Sequence, residues 1–472
     1  MTQVRRLAEF AVACRDRGVP AEVRDDVVGR VLDTLGNGFA GSTEDVARRV
    51  AATVTAWGGS RAAPSVALIQ GTYAHALDFD DTHLPSVLHP SASVVPAALA
   101  VAEATGASGR DLLAAVAAGD EICNRLGMAS YLPEIGNSLF FENGQHATSI
   151  CGTLGAAAAC ALLYGLPAEG VADAIGIAAS MGSGLLEANR TGGTVKRIHC
   201  GWAAHGGVVA ADLARAGVTG PPTVLEGRFG FFRAWLDGRY DEDALLAGLW
   251  RDDGPARWEV LRTVYKPYPV NHFTHPAIDC ALALRAGGLD PDDVAEIEVG
   301  LPAPTLRTVA EPYEEKIRPR SAYHAKFSAP FAVATALTGG GGLGVGLDDF
   351  ADGAHQDPVR LALAARVRCV PDGRATEIFP AAFAAVVRVT TGGGAVLEHR
   401  VDSSRGGPGH PLSADELETK FRMNAARALT PEETDTVAAA VRALPESGRI
   451  TAGLWSVPSA ERSAGPRCEG PV

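Results

Sequence analysis

The stretch AHALDFDDTHLPSVLHPSASVVPAALA, residues 74–100, joins a dense polar cluster to an apolar run. The two prolines of HLPSVLHP predict a fixed, non-helical loop, and the apolar run that follows predicts a buried helix. A charged cluster against a core is unfavourable unless its members are paired or bind a ligand. The stretch therefore indicates a functional site at the start of a buried helix. Its aspartates are Asp78, Asp80 and Asp81, and its histidines are His75, His83 and His89.

Three interpretations of this cluster are open. It could bind a metal ion, although it contains neither HExxH nor a regular DxDxDG calcium loop. Asp81 or Thr82 could instead cap a helix while the other polar side chains stay in solvent. The third interpretation is an acid–base site, which the proline-fixed loop and the adjacent buried helix favour.

The pattern up to about residue 264 is helical. Residues 21–41 carry apolar side chains at a helical period and predict an amphipathic helix that ends at Gly36 and Gly38. Alanine-rich runs with few polar residues on any face predict helices buried inside an all-α bundle. These runs span residues 91–106, 111–127 and 149–166.

Strand-like stretches follow at 294–302, 362–372 and 384–401, the last of which predicts a hairpin around a glycine turn. Helical periods return after residue 404, where Ser413 predicts an N-cap with Glu416 three residues later. The predicted fold class is mainly α, with a large all-helical domain and an inserted smaller α+β lid domain. The helical domain takes residues 1–264, the lid 265–404, and a returning C-terminal segment 405–472, whose tail from about 458 is predicted to be disordered.

Composition excludes several classes of function. The formal net charge of −13 argues against binding to nucleic acid or to an anionic membrane, since both need a basic face. The N-terminus lacks the apolar region of a signal peptide, and we expect a cytoplasmic protein. The eight cysteines include no CxxC or CxxH spacing and predict buried, reduced thiols with no bound metal. No nucleotide-binding glycine motif follows a strand, so we expect no nucleotide cofactor.

Three further clusters have the same polar character. FENGQHATSICGTLG contains His146, which could also be a helix cap or a hydrogen-bonded core residue. TGGTVKRIHCGWAAHGG could hold a carboxylate or be an ordinary surface loop, and YKPYPVNHFTHPA could be part of a cleft between domains or a polar linker. The candidates in these two are Lys196, Arg197, His199, His205, Lys266, Asn271, His272 and His275. Together the clusters predict a pocket for proton chemistry on an anionic substrate: dehydration, isomerisation, epimerisation or decarboxylation.

Residues 71–103, GTYAHALDFDDTHLPSVLHPSASVVPAALAVAE, resemble the signature of the MmgE/PrpD family, which includes 2-methylcitrate dehydratase, cis-aconitate decarboxylase and iminodisuccinate epimerase. Further motifs resemble family counterparts in the same order, so the resemblance covers nearly the whole chain. It is specific for the family and weakly specific for the reaction. These motifs are GQHATSICGTLGAA, GGTVKRIHCGWAAHGGVVAA, YKPYPVNHFTHPAID, AYHAKFSAPFAVATAL and GGPGHPLSADELETKF.

The resemblance implies a homodimer and an active site at the domain junction without metal or cofactor. Its catalytic residues would be Asp78, Thr82, His89, His146, Lys196 and, in preference to Asn271, His272. The residues expected to bind a di- or tricarboxylate are Arg197, His199, Lys266, His275 and Phe331, where many relatives carry tyrosine. The expected activity is that of a lyase of the 2-methylcitrate dehydratase type, with His89 or His146 as the base. Decarboxylation of the cis-aconitate type or epimerisation of a small dicarboxylate is the alternative.

Overall fold

The computed structural model describes residues 1–59, 61–188, 193–249, 257–407, 409–450 and 453–455. None of the described helices is both long and apolar enough to cross a membrane. The α-helices in chain order are α1 Gln3–Arg17, α2 Ala21–Gly41, α3 Asp45–Ala56, α4 Ala63–His75, α5 Ser91–Thr105, α6 Gly109–Ala129, α7 Leu139–Glu142, α8 Ala147–Leu163, α9 Ala168–Ala178, α10 His199–Arg215, α11 Phe231–Leu236, α12 Glu242–Leu246, α13 His275–Ala286, α14 Leu306–Val309, α15 Tyr313–Ile317, α16 Ala322–Ala325, α17 Ala329–Thr338, α18 Pro358–Ala364, α19 Gly373–Ile378, α20 Ala414–Ala425 and α21 Pro431–Arg442. The strands are β1 Thr82–His83, β2 Tyr131–Leu132, β3 Asn137–Ser138, β4 Thr263–Val264, β5 Val294–Leu301, β6 Val367–Pro371, β7 Ala385–Thr391 and β8 Val396–Val401.

One apolar core joins residues from 4 to 260 with residues from 421 to 455, and we call this part of the molecule the helical unit. Helices α5 and α8 are buried along almost their whole length, as the alanine-rich runs predict. Small side chains let such helices approach closely, which explains why they can occupy the centre of the bundle. The mainly helical fold class is confirmed.

Helix α2 does not end at Gly36 and Gly38 as predicted but continues to Gly41. Both glycines lie at close contacts inside the helix rather than at its end. A Cβ at Gly38 would lie 2.0 Å from Cζ3 of Trp455, and one at Gly36 would lie 3.1 Å from Cδ2 of Phe421. The prediction was wrong because a glycine needed for helix packing looks the same in sequence as a glycine that stops a helix.

A second apolar core lies between residues 268 and 401, and we call this part the α+β unit. Its sheet has the strand order β6-β5-β7-β8, with β5 and β6 parallel and the other pairs antiparallel. The first predicted strand region and the hairpin are confirmed, and the region 362–372 is confirmed in part, because residues 362–364 belong to α18 and the strand begins at Val367. That this unit is an insertion that acts as a lid stays a prediction.

The C-terminal segment packs against the helical unit through α20 and α21. Both helices begin with a capping box, and the first of these is the predicted pair of Ser413 and Glu416. Phe421 and Val441 belong to the core of the helical unit. The predicted disordered tail from about residue 458 lies outside the described residues.

Two short strands connect the opening motif to the start of the α+β unit. Thr82 pairs with Val264 and His83 pairs with Thr263 in an antiparallel register. This pairing brings Lys266, two residues beyond β4, to the loop that carries Asp78. Residues far apart in sequence therefore meet where the two units join.

Candidate active site

A cavity of about 920 Å³ is lined by residues of both units. It contains all six residues predicted to be catalytic, together with Lys266. Its volume falls in the range of small-molecule sites, and its wall combines aromatic and aliphatic side chains with convergent polar groups. The predicted residues in its lining are Asp78, Thr82, His89, His146, Lys196, Lys266 and His272.

Asp78 lies in a left-handed turn just after α4, with φ of +57°. Its Oδ1 accepts a hydrogen bond of 2.8 Å from Nζ of Lys196, and Nζ of Lys266 lies 3.5 Å from its Oδ2. Burial alone would raise the pKa of Asp78, but the two ammonium groups hold it well below its usual range. The same carboxylate outweighs the effect of burial on Lys196 and raises the pKa of that lysine. Asp78 and Lys196 therefore form a charged pair, with a second lysine beside it.

The other two aspartates of the motif have structural partners. Oδ2 of Asp80 lies 2.7 Å from Nδ1 of His75. Burial lowers the pKa of His75, but the charge of this carboxylate outweighs burial and raises that pKa to about 10. Asp81 lies 3.4 Å from Arg30 and accepts a 2.5 Å hydrogen bond from Ser91 at the start of α5. Of the three aspartates in the motif, Asp78 is the one that lines the cavity.

His89 is held in one tautomer by the backbone. Its Nδ1 lies 2.5 Å from the carbonyl oxygen of Asp81, which can only accept, so Nδ1 carries the proton and Nε2 is the basic nitrogen. Burial lowers the pKa of His89 to about 4, against the opposing effect of Asp80. The Thr82 hydroxyl lies 3.3 Å from the same Nδ1, and the backbone N–H of His89 donates to Thr148 of α8. His89 is therefore a neutral, oriented imidazole.

His146 precedes α8 at the N-cap position, but its side chain makes no cap hydrogen bond to the described part of that helix. Its Nδ1 lies 2.9 Å from Nδ1 of His199, so one ring donates to the other. Burial, followed by the charge of Lys196, holds the pKa of His146 well below its usual range. The capping alternative is therefore wrong, and His146 faces the cavity as a neutral imidazole.

His272 and Asn271 both line the cavity, and their contacts distinguish them. Oδ1 of Asn271 accepts from the N–H of Phe273 and caps a single turn of 3-10 helix. The ring nitrogens of His272 are buried and have no hydrogen-bond partner among the described residues. These contacts favour His272 as the chemically available group, as preferred from the sequence.

Four residues expected to bind substrate do not line the cavity. Arg197 pairs with Glu44 at 3.2 Å and stacks over Tyr323. His199 lies behind His146, and His275 lies behind His272 with its ring centre 4.4 Å away. Phe331 is buried in the core of the α+β unit against Phe350. Sequence proximity to a motif does not show which way a side chain faces, and a binding role for these four residues stays a prediction.

Other cavity residues were missed. Lys316 is buried, lines the cavity and donates to the carbonyls of Thr308 and Phe327, while burial lowers its pKa to about 8. In sequence, Lys316 follows two glutamates and looks like part of a solvated charge run. Thr148 looks like an ordinary helix residue. The rarity of lysine in this chain is the signal that could have marked Lys316.

One group of side chains has the donor types of a metal site. Ligand atoms of His75, Asp80 and Cys200 all lie within 4.8 Å of one another and are buried. The 2.7 Å separation of His75 and Asp80 is that of a hydrogen bond, whereas two ligands of a tetrahedral zinc ion are about 3.3 Å apart. In this arrangement the histidine and the aspartate bind each other.

The site can hold an anion and move protons. Two lysines supply positive charge at Asp78, and three neutral histidines line the same cavity. A cluster of cations beside neutral imidazoles is suited to anion binding and general acid–base chemistry. The fold and the site thus define a class of helical proteins with an acid–base cavity between two units.

Comparisons with known proteins name the family. The profile described as the MmgE/PrpD N-terminal domain matches residues 5–243, and the MmgE/PrpD C-terminal domain matches residues 268–446. The chain belongs to the MmgE/PrpD family.

Several relatives are named for one reaction. Human cis-aconitate decarboxylase is 29% identical over 439 residues, which cover 88% of this chain and 86% of that protein. A cis-aconitate decarboxylase-like protein of Aspergillus oryzae is 25% identical over an alignment of 475 positions, which covers 94% of this chain and 95% of that protein. Cis-aconitate decarboxylase of Aspergillus terreus is 32% identical over 196 residues, or 39% of each chain.

Proposed function

We propose that this protein is a cofactor-independent carbon–carbon lyase that decarboxylates cis-aconitate or a closely similar unsaturated polycarboxylate. The observation that carries the proposal is the Lys196–Asp78–Lys266 cluster, which shares one cavity with neutral histidines. The names of relatives that cover most of this chain favour decarboxylation over the 2-methylcitrate dehydratase activity expected from the sequence.

Decarboxylation of such a substrate breaks the bond between a carboxylate carbon and the methylene carbon beside the double bond. Carbon dioxide leaves, and the electron pair forms a new double bond to that methylene carbon. The former double bond takes up a proton at its far carbon, where negative charge would otherwise accumulate on the attached carboxylate. Lys196 and Lys266 would bind the substrate carboxylates and stabilise this charge.

The proton must come from a group in the cavity. A bound polyanion raises the pKa of a neighbouring imidazole, because opposite charges favour the protonated form. His89 would take up a proton on Nε2 when substrate binds and deliver it to the alkene carbon, since its Nδ1 is already committed to the Asp81 carbonyl. His146 and His272 are the alternative donors on the same cavity wall.

The test is to incubate purified protein with cis-aconitate in deuterated buffer and follow the products by proton nuclear magnetic resonance. We expect release of carbon dioxide and a product with a terminal methylene group. This product should carry one deuterium at the far carbon of the former double bond. If the protein instead adds water to cis-aconitate, or if 2-methylcitrate gives an absorbance rise from a new alkene, the protein is a dehydratase and the proposal is wrong. Deuterium exchange without loss of carbon would replace it with an epimerase or isomerase.

A further inference from the structure

Lysine has an unusual distribution in this protein. The chain contains five lysines, and all five are buried. Lysine is almost never fully buried in proteins unless it is paired. Four of the five, all except Lys316, direct their ammonium groups at the segment Leu77–Phe79, which follows α4 and carries Asp78 at its centre.

Three of these lysines hydrogen-bond to consecutive backbone carbonyls. Nζ of Lys326 donates to the carbonyl of Leu77 at 2.8 Å. Nζ of Lys266 donates to that of Asp78 at 2.8 Å, and Nζ of Lys420 donates to that of Phe79 at 2.9 Å. Every carbonyl of the segment therefore has its own buried ammonium donor.

The backbone of this segment needs such support. Asp78 has φ of +57°, a conformation that non-glycine residues seldom adopt and that persists only when the surroundings determine it. Hydrogen bonds from a charged donor are stronger than neutral ones, and they are stronger still away from water. The carbonyl contacts thus fix the direction in which the Asp78 carboxylate faces.

The lysines come from different parts of the chain. Lys326 follows α16 in the α+β unit, and Lys420 lies in α20 of the C-terminal segment. Neither side chain lines the cavity, so neither is placed to touch a substrate. Lys420 also pairs with Asp33 at 2.7 Å, whereas Lys326 has no carboxylate within ion-pair distance among the described residues.

We propose that Lys326 is a positioning residue, which holds the Leu77–Phe79 backbone so that the Asp78 carboxylate stays directed at Lys196. Through this one hydrogen bond, the docking of the α+β unit determines the geometry of the charged cluster in the helical unit. The proposal rests on the proposed function only in so far as Asp78 and Lys196 act in the reaction.

The first test replaces Lys326 with methionine, which keeps the aliphatic stem and removes the donor. We expect kcat to fall about tenfold or more while KM stays within about threefold, because substrate contacts are retained and the catalytic geometry is not. Arg360→Met is the matched control. Arg360 also lies in the α+β unit and donates to a backbone carbonyl, that of Asp349, away from the cavity, and this variant should keep the parent kcat.

The pH profile separates positioning from general support of the fold. Burial lowers the pKa of Lys326 to about 8, and the charged groups around it are Asp78, Glu44, Arg197 and Lys266. The parent should lose kcat above about pH 8 as this ammonium loses its charge, and Lys326→Met should lack that alkaline limb. If the variant still loses kcat above about pH 8, the loss belongs to another group, such as Lys316, and the proposal is contradicted.

A second variant and a structural measurement keep the proposal testable in every case. Lys326→Gln retains a neutral donor, and we expect an intermediate kcat without the alkaline limb. If both variants fail to fold, or if Lys326→Met keeps the parent kcat, the proposal is overturned. If the parent converts no substrate, the proposed function fails, but a crystal structure of Lys326→Met still tests the positioning. The Asp78 carboxylate should then lie beyond hydrogen-bond distance of Lys196, and an unchanged Asp78 would overturn the proposal.

Discussion

At the scale of single residues, two adjacent cations have opposite surroundings. Lys196 reaches into the cavity and pairs with Asp78, whereas Arg197 faces away and pairs with Glu44. The first charge lines the cavity, and the second joins the 3-10 turn before α10 to the residue that precedes α3. The pair therefore offers an internal comparison of a cation inside the cavity and a cation outside it.

Replacement of Lys196 with methionine should leave the fold intact and reduce kcat/KM by about a hundredfold or more, equivalent to roughly 3 kcal/mol of transition-state stabilisation. The fold should tolerate the change because Lys266 still faces the Asp78 carboxylate. Steady-state kinetics with cis-aconitate and a thermal melt measure the two effects. Arg197→Met is the control and should stay within about threefold of the parent. If Lys196→Met keeps the turnover of the parent, or if it unfolds, the active site does not lie at Lys196.

The buried pair of His75 and Asp80 should make stability depend on pH in the alkaline range. Asp80 raises the folded-state pKa of His75 to about 10 against the effect of burial, while the unfolded value is about 6.5. The stabilisation is therefore complete below pH 6.5 and is lost as pH rises through 10. The free energy of unfolding of the parent should exceed that of Asp80→Asn, and this excess should shrink by about 4 kcal/mol between pH 6.5 and 10. Denaturant unfolding at a series of pH values measures it. A difference independent of pH would mean that His75 is neutral in the folded protein.

At the scale of elements, close helix packing sets the position of the Asp78 segment. Helix α4, which leads into that segment, lies directly against α2 at Gly41. A Cβ at Gly41 would lie 2.0 Å from the backbone carbonyl oxygen of Tyr73, near the end of α4. Backbone atoms cannot rotate away, so the helices would have to separate.

Gly41→Ala should therefore destabilise the protein by about 2 kcal/mol and also reduce kcat, because the displaced α4 carries the Asp78 segment. Chemical denaturation and steady-state kinetics on the same preparation would measure both effects. Gly373→Ala is the matched control, since a Cβ at Gly373 has no described heavy atom within 4 Å. That variant should change stability by no more than about 0.5 kcal/mol. Equal behaviour of the two variants would contradict the packing argument.

At the scale of the whole molecule, the C-terminal segment completes the core that the N-terminal helices begin. Phe421, Ala425 and Val441 are buried against helices more than three hundred residues earlier in the chain. Their removal would expose a large apolar surface on α2. The helical unit therefore depends on both ends of the described chain.

A chain that stops after residue 404 should fail to form a stable protein and should aggregate, although the whole α+β unit is still present. Size-exclusion chromatography and a thermal melt would detect the loss of a monodisperse, cooperatively folded species. Addition of a synthetic segment 405–450 during refolding should recover part of the folded protein. A truncated chain that melts cooperatively at the parent temperature would contradict this dependence.

The sequence by itself predicted the helical class, the three strand regions, the capping box at Ser413 and the family. These features depend on local periodicity, turn chemistry and motif order, which are properties of short stretches. It also identified seven residues that line the cavity, six of them expected to be catalytic and the seventh, Lys266, expected to bind substrate. It did so because the resemblance to the family carries these residues over motif by motif.

The tertiary structure alone decided which neighbouring side chains face inward. Lys266 enters the cavity whereas Arg197, His275 and Phe331 do not, and no local pattern distinguishes them. The carbonyl contacts of Lys326 and Lys420 join positions more than two hundred residues apart. Such contacts depend on the docking of whole elements and on burial, which lowers the dielectric around each charge. That is why the sequence could locate the site of Asp78 and only the folded chain could show what holds it in place.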